Sequence, residues 1–195
     1  MGAENLEHWL AELASGDDGR AERAVEGLSR FGSRAVDALI PRVSDPQPDA
    51  RWWALRALAE ISDSRVPPLL AAALEDSDPA VQQCAALALR RQPAPEAVPT
   101  LISALGKNDR LLTRLAGDAL ASAGPAAARA LIEVLEDRSY AQTARMEAAR
   151  ALALLGDTSA IPALFAALDD DSVWIQYWAN EGLERLGVGM TFFKP

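Results

Sequence analysis

The chain has 195 residues, half of them hydrophobic, and a formal net charge of −9. That apolar content supports a sizeable core and excludes a disordered chain. Residues 1–50 hold 10 acids against 5 bases and residues 51–150 hold 12 of each, so there is no basic stripe, which argues against nucleic acid and anionic membrane as partners.

Much of the apolar content is alanine and leucine, the strongest helix formers. A single cysteine, Cys84, allows no internal disulfide, so a reducing, cytoplasmic setting is expected. The first residues lack the basic and apolar regions of a signal peptide. The longest apolar run, Val66 to Leu74, is too short to span a membrane.

Taken in order, residues 4–14 predict one helix, with Trp9, Leu10 and Leu13 on its apolar stripe. From residue 15 a repeat begins. An alanine recurs at Ala24, Ala54, Ala85, Ala116, Ala148 and Ala179, at intervals of 30, 31, 31, 32 and 31 residues. Four residues later comes a leucine: Leu28, Leu58, Leu89, Leu120, Leu152 and Leu183. A turn column follows at Gly32, Ser62, Pro93, Gly124, Gly156 and Gly187. The alanine lets two helices approach closely. The glycines are expected as left-handed C-terminal caps.

Each unit continues into a second helix with an apolar pair: Leu39-Ile40, Leu70-Ala71, Leu101-Ile102, Leu131-Ile132 and Leu164-Phe165. Pro68, Pro99 and Pro162 fall near the starts of these helices, where a missing N–H costs nothing. Trp9, Leu10 and Leu13 share the spacing of Leu39, Ile40 and Val43, so residues 4–14 read as a lone second helix that caps the array. Five helix pairs then occupy residues 15–169, a last first helix residues 170–187, and a tail residues 188–195. The expected architecture is a single all-α domain over 1–195, a right-handed α-solenoid with half-units at both ends.

The pattern resembles the HEAT-repeat superfamily, and its units are most similar to the short HEAT-like repeats of phycobilisome lyases. The residues that carry the likeness are an Asp before the first helix and an Arg six positions on, as in Asp45 and Arg51; Asp137 and Arg145 keep the pair with two residues inserted. In the family such a pair resembles a ladder between neighbouring units. Asp76 and Asp170 are followed instead by Gln82 and Gln176, and the fourth unit has Lys107 and Thr113, so the ladder is expected to be partial.

Catalytic constellations are sparse. The only histidine, His8, sits in the acidic first helix and reads as a surface residue. Cys84 lies one place before the alanine column, in a position shared with Trp53, Leu115 and Trp178, and is expected to be a buried thiol. Trp53 is expected in the core for the same reason. The run Asp169-Asp170-Asp171 reads as a loop whose charge favours the following helix N-terminus. No phosphate-binding glycine loop or nucleophile elbow occurs. No catalytic residue, metal site or cofactor is assigned.

Candidate partner-binding residues are aromatic. Trp52 falls in a mostly polar column, and Trp174 and Tyr177 lie on the last helix opposite Ile175, Ala179 and Leu183. The tail adds Phe192 and Phe193, which either cover that helix or dock on a partner. Thr100, Ser103, Glu133, Ala163 and Ala166 are expected outward on the second helices, forming a groove of small residues. The function expected is a non-catalytic scaffold that binds another protein. The resemblance implies an alternative: a phycobilin lyase-like protein handling a bilin on a phycobiliprotein, with Trp174 and Tyr177 stacking on the pigment.

Overall fold

The alanine and leucine columns form the packed centre of every repeat. In the computed structural model, which describes residues 5–188, all six alanines are fully buried, and the six leucines are at most 1% exposed. Each buried leucine contributes about 2 kcal/mol.

The helices of the first half are α1 (Leu6–Leu13), α2 (Asp18–Ser29), α3 (Ser33–Leu39), α4 (Pro48–Leu58), α5 (Val66–Ala73) and α6 (Pro79–Leu89). Those of the second half are α7 (Val98–Ala104), α8 (Arg110–Ser122), α9 (Pro125–Glu136), α10 (Gln142–Leu155), α11 (Ile161–Ala167) and α12 (Val173–Arg185). No strand occurs among the described residues. The contacts group into two compact units that divide between Gln92 and Pro93.

Local chemistry sets the helix ends. The carboxylates of Asp17, Asp78 and Asp109 cap α2, α6 and α8 by accepting backbone N–H groups of their first turns. Proline stands in the first turn of α4, α5, α6, α7, α9 and α11, where its lost N–H has no intrahelical partner to forfeit. Pro41 lies too late for that. Helix α3 stops at Leu39, and Ile40–Ser44 continues as a tighter 3-10 turn, because a proline inside the helix removes an i to i−4 hydrogen bond.

In the first unit α2 packs on α4 and α4 on α6, so the first helices of successive repeats form one row. Helix α1 closes that row against α2. A methyl group added at Gly27 would lie 2.3 Å from the Trp9 ring, so the indole occupies the space left by the missing side chain. In the second unit α8, α10 and α12 form one row, and α7, α9 and α11 a second.

Three expectations are corrected. Of the turn glycines, Gly156 is the left-handed cap foreseen, but Gly32 (φ 53°, ψ −131°) and Gly124 (φ 65°, ψ −150°) directly precede the next helix in a region almost confined to glycine. They redirect the chain from one helix into the next. Phe165, expected to pack beside Leu164, is exposed, and Ala163, expected outward, is buried. Helix α11 starts late, after a 3-10 turn at Thr158–Ala160, and turns Ala163, Leu164 and Ala167 inward.

Candidate functional site

The first unit carries an open groove of about 760 Å³. It runs from the end of α1, through Leu13 and Ala14, past the first turns of α2 and α4, to the start of α6 at Ala80. Trp52 and Trp53 form its aromatic floor, their rings edge to face with centroids 4.7 Å apart. The core arc of α4 consists of Ala54, Leu55, Ala57 and Leu58. Both indoles flank that arc and are half-buried, so Trp53 lies outside the core that its column predicts. Asp18 and Asp49, in the first turns of α2 and α4, are exposed on the rim.

Beneath the floor, the Cys84 thiol donates a weak hydrogen bond to the Trp52 carbonyl at 3.8 Å. Burial pushes its pKa up to about 12, so it is a packed thiol rather than a thiolate nucleophile.

The second aromatic candidate lies on α12. Trp174 and Tyr177 are 65% and 52% exposed, opposite the buried Ile175, Ala179 and Leu183. Their rings meet edge to face at 6.3 Å, and Tyr177 touches the half-buried Trp178 at 5.1 Å. Val173 adds exposed apolar surface one residue before Trp174. Phe192 and Phe193 lie outside the described residues, as does the question of whether the tail covers α12.

The repeat ladder has a simple rule. Arg51 donates to its own turn at the Asp45 carbonyl and grips the Asp76 carboxylate of the next repeat with two hydrogen bonds. Arg145 likewise donates to the Leu135 carbonyl and pairs with Asp170 of the next repeat. Gln82 and Gln176 donate to the carbonyls of Asp76 and Asp170, in their own turns, on the side of the carboxylates that Arg51 and Arg145 reach from the repeat before. Thr113 also donates within its own turn, to the carbonyls of Ala104 and Lys107. Hydrogen bonding from Arg51, opposed by burial, holds the Asp76 carboxyl below its usual pKa. For Asp170 burial acts upward, and the Ser172 N–H with Arg145 outweighs it. The run at 169–171 is therefore placed by arginines, since Asp171 also pairs with Arg138 at 3.1 Å, rather than by helix polarity alone.

A buried ionic cluster had no signal in the repeat columns. Arg150 is 1% exposed and inside α10. It pairs with Glu147 at 2.6 Å and Asp118 at 2.7 Å, and donates to the Arg114 carbonyl. Gly117 makes room: a methyl group there would lie 2.7 Å from the Arg150 Nη2. A glycine inside a helix, one repeat before a buried arginine, is the sequence trace of this contact.

Of the residues expected to line a groove along the second helices, Ala163 and Ala166 line a hollow of about 190 Å³ in the second unit, with Arg145 and Asp170 among others. Thr100, Ser103 and Glu133 do not line it. Among the described residues no three His, Cys, Asp or Glu side chains are grouped to hold a metal ion, and no helix is long and apolar enough to cross a membrane. His8 is exposed on α1.

Within each unit, stacked helix pairs with a small-residue core and an arginine–aspartate rung define a repeat-built helical protein. The HEAT-repeat family model matches residues 6–76, 66–144 and 109–184. The chain belongs to the HEAT-repeat family, and its fold is an α-solenoid.

The chain is 40% identical over 121 residues to a phycobilisome maturation protein of Synechococcus elongatus; the match takes in 60% of this chain and 56% of that protein. The chain thus spans little more than half the length of this relative. Among solved structures, the complex of CpcE and CpcF of phycocyanin lyase from Nostoc sp. PCC7120 is similar at a TM-score of 0.58 and 25% identity, over 96% of this chain and 79% of that one. An engineered protein also matches at a TM-score of 0.58, with 23% identity, over 96% of this chain and 98% of that one. A designed armadillo repeat protein in complex with the peptide (KR)4 matches at 0.55 and 19% identity, over 94% of this chain and all of that one. The last two show the fold alone.

Proposed function

We propose that the chain is a non-catalytic, protein-binding HEAT module that acts in the maturation of the phycobilisome by holding a phycobiliprotein. The observation that carries this reading is the 40% identity over 121 residues to a phycobilisome maturation protein. The similarity to the lyase complex of Nostoc supports it. Its surfaces suit protein contact: exposed Trp and Tyr are frequent anchors of binding energy, and the Trp174–Tyr177 pair stands open on α12. The free thiol of Cys84 accords with a cytoplasmic setting.

The test is co-elution. Purified phycobiliprotein subunits, bilin-free and bilin-loaded, are run with the full chain on a sizing column and followed by visible absorbance. A stoichiometric complex with either form supports the reading, and separate elution of both rejects it.

A second reading, bilin-lyase-like handling of the chromophore, rests on the exposed edge-to-face pair of Trp174 and Tyr177. Saturable quenching of tryptophan fluorescence by free bilin, lost in Trp174→Ala, is its expected signature. Unchanged fluorescence rejects it.

A further inference from the structure

The groove of the first unit has a chemistry of its own. Its floor is the perpendicular pair Trp52 and Trp53, with Leu13 and Ala14 as an apolar wall. Among the described residues its charged lining consists of Asp18 and Asp49, with no Lys or Arg. Six acids of this unit are held by arginines: Glu12 by Arg20, Glu22 and Glu60 by Arg56, Asp37 and Asp63 by Arg65, and Asp76 by Arg51. Asp18 and Asp49 have no ion-pair partner among the described residues. Indole faces beside unpaired carboxylates attract a cation doubly, through the ring quadrupole and through Coulomb attraction. The apolar wall adds a place for a hydrophobic side chain.

We infer that this groove is the docking site for a basic segment of a partner polypeptide, one that lays an arginine or lysine over Trp52 and Trp53 between Asp18 and Asp49 and seats a neighbouring apolar side chain against Leu13 and Ala14. The inference names the partner chemistry within the protein-binding reading and rests on that reading. The groove crosses three successive repeats, as a segment lying across the row requires. Acidic residues in the first helical turn also favour the helix dipole, but that accounts for Asp18 and Asp49 singly and not for the two indoles that line the same groove.

The experiment is calorimetric titration of the full chain with a synthetic peptide of alternating leucine and arginine, and with the same peptide carrying glutamate for arginine. The arginine peptide binds, the glutamate peptide does not, and affinity falls as salt rises, because the rim is exposed. Asp18→Lys with Asp49→Lys weakens binding by about tenfold or more. Both positions are exposed, so the fold survives the change, as a thermal melt checks. Trp52→Ala weakens binding to a similar degree. Equal binding of both peptides, no binding of the arginine peptide, or affinity unmoved by the double charge reversal overturns the inference. The sizing-column test is independent: a double variant that loses the arginine peptide yet co-elutes with phycobiliprotein keeps both conclusions and places that partner elsewhere. Loss of phycobiliprotein binding in the wild-type chain with the peptide still bound removes only the maturation reading.

Discussion

Arg51 grips the carboxylate of Asp76, 25 positions along the chain, through hydrogen bonds of 2.7 and 2.6 Å. Both side chains are nearly out of water, 11% and 12% exposed. This rung helps tie one repeat to the next. Asp76→Asn leaves the guanidinium desolvated without its counter-charge and is expected to cost about 2–3 kcal/mol. Arg51→Gln reproduces what stands at Gln82 and Gln176, keeps a bond to the Asp45 carbonyl and costs about 1 kcal/mol. Urea melts of both variants decide the order; equal losses contradict the ladder rule.

Acid weakens the same rungs. The carboxyls of Asp76 and Asp170 have folded pKa values below their ordinary ones, as do Asp137 and Asp157 through the N–H and side chain of Ser139 and Ser159. A depressed carboxylate stabilises the fold above its unfolded pKa, about 3.9, and loses that contribution as pH falls through the folded value. The melting temperature is expected to be level near neutrality and to fall below about pH 4. Asp76→Asn makes that fall shallower. An identical acid slope in the variant contradicts this origin.

Gly117 and Gly19 provide matched tests of why a helix carries glycine. A methyl at Gly117 meets the buried Arg150 guanidinium at 2.7 Å and Glu147 at 3.0 Å. Relief requires moving a side chain held on three sides, so Gly117→Ala is expected to destabilise by about 1–2 kcal/mol despite better helix propensity. At Gly19 the nearest atom lies 3.4 Å away, at Asp17, and alanine is expected to add about 0.5 kcal/mol. Thermal melts showing gains at both positions would mean that Arg150 yields freely.

Cys84 is expected to resist alkylation in the folded protein near pH 8, because burial raises its thiol to about 12 and removes access. Mass spectrometry after iodoacetamide treatment should show adduct only in denaturant. Rapid labelling of the native chain would reveal an opening of α6.

Trp174 and Tyr177 expose more than half of their surface. Replacing both by alanine is expected to change stability by no more than about 0.5 kcal/mol. The same change should weaken a phycobiliprotein complex by about tenfold or more if these rings anchor it. Loss of stability without loss of binding would make them structural.

The repeat was legible in the sequence because its columns are steric. Only alanine fits where two helices cross, and only a leucine-sized side chain fills the space four residues on, so Ala24 to Ala179 and Leu28 to Leu183 reveal the helix pairs before any coordinates exist. The proline positions mark helix starts for the same local reason. Exposure of Trp174 and Tyr177 followed from helical period against a known core face.

Only the tertiary structure decided which residues share a site. Trp53 sits in a core-like column, yet its neighbours across repeats leave it half-buried beside Trp52, with Asp18 and Asp49 brought in from separate first turns. Arg150 falls in none of the repeat columns, and its place against Gly117, Glu147 and Asp118 comes from packing alone. Period along one helix reports which face points inward. It carries no information about what another repeat, some 30 residues away, places opposite that face, and that is where ion pairs, the aromatic groove and the roles of Ala163 and Phe165 are determined.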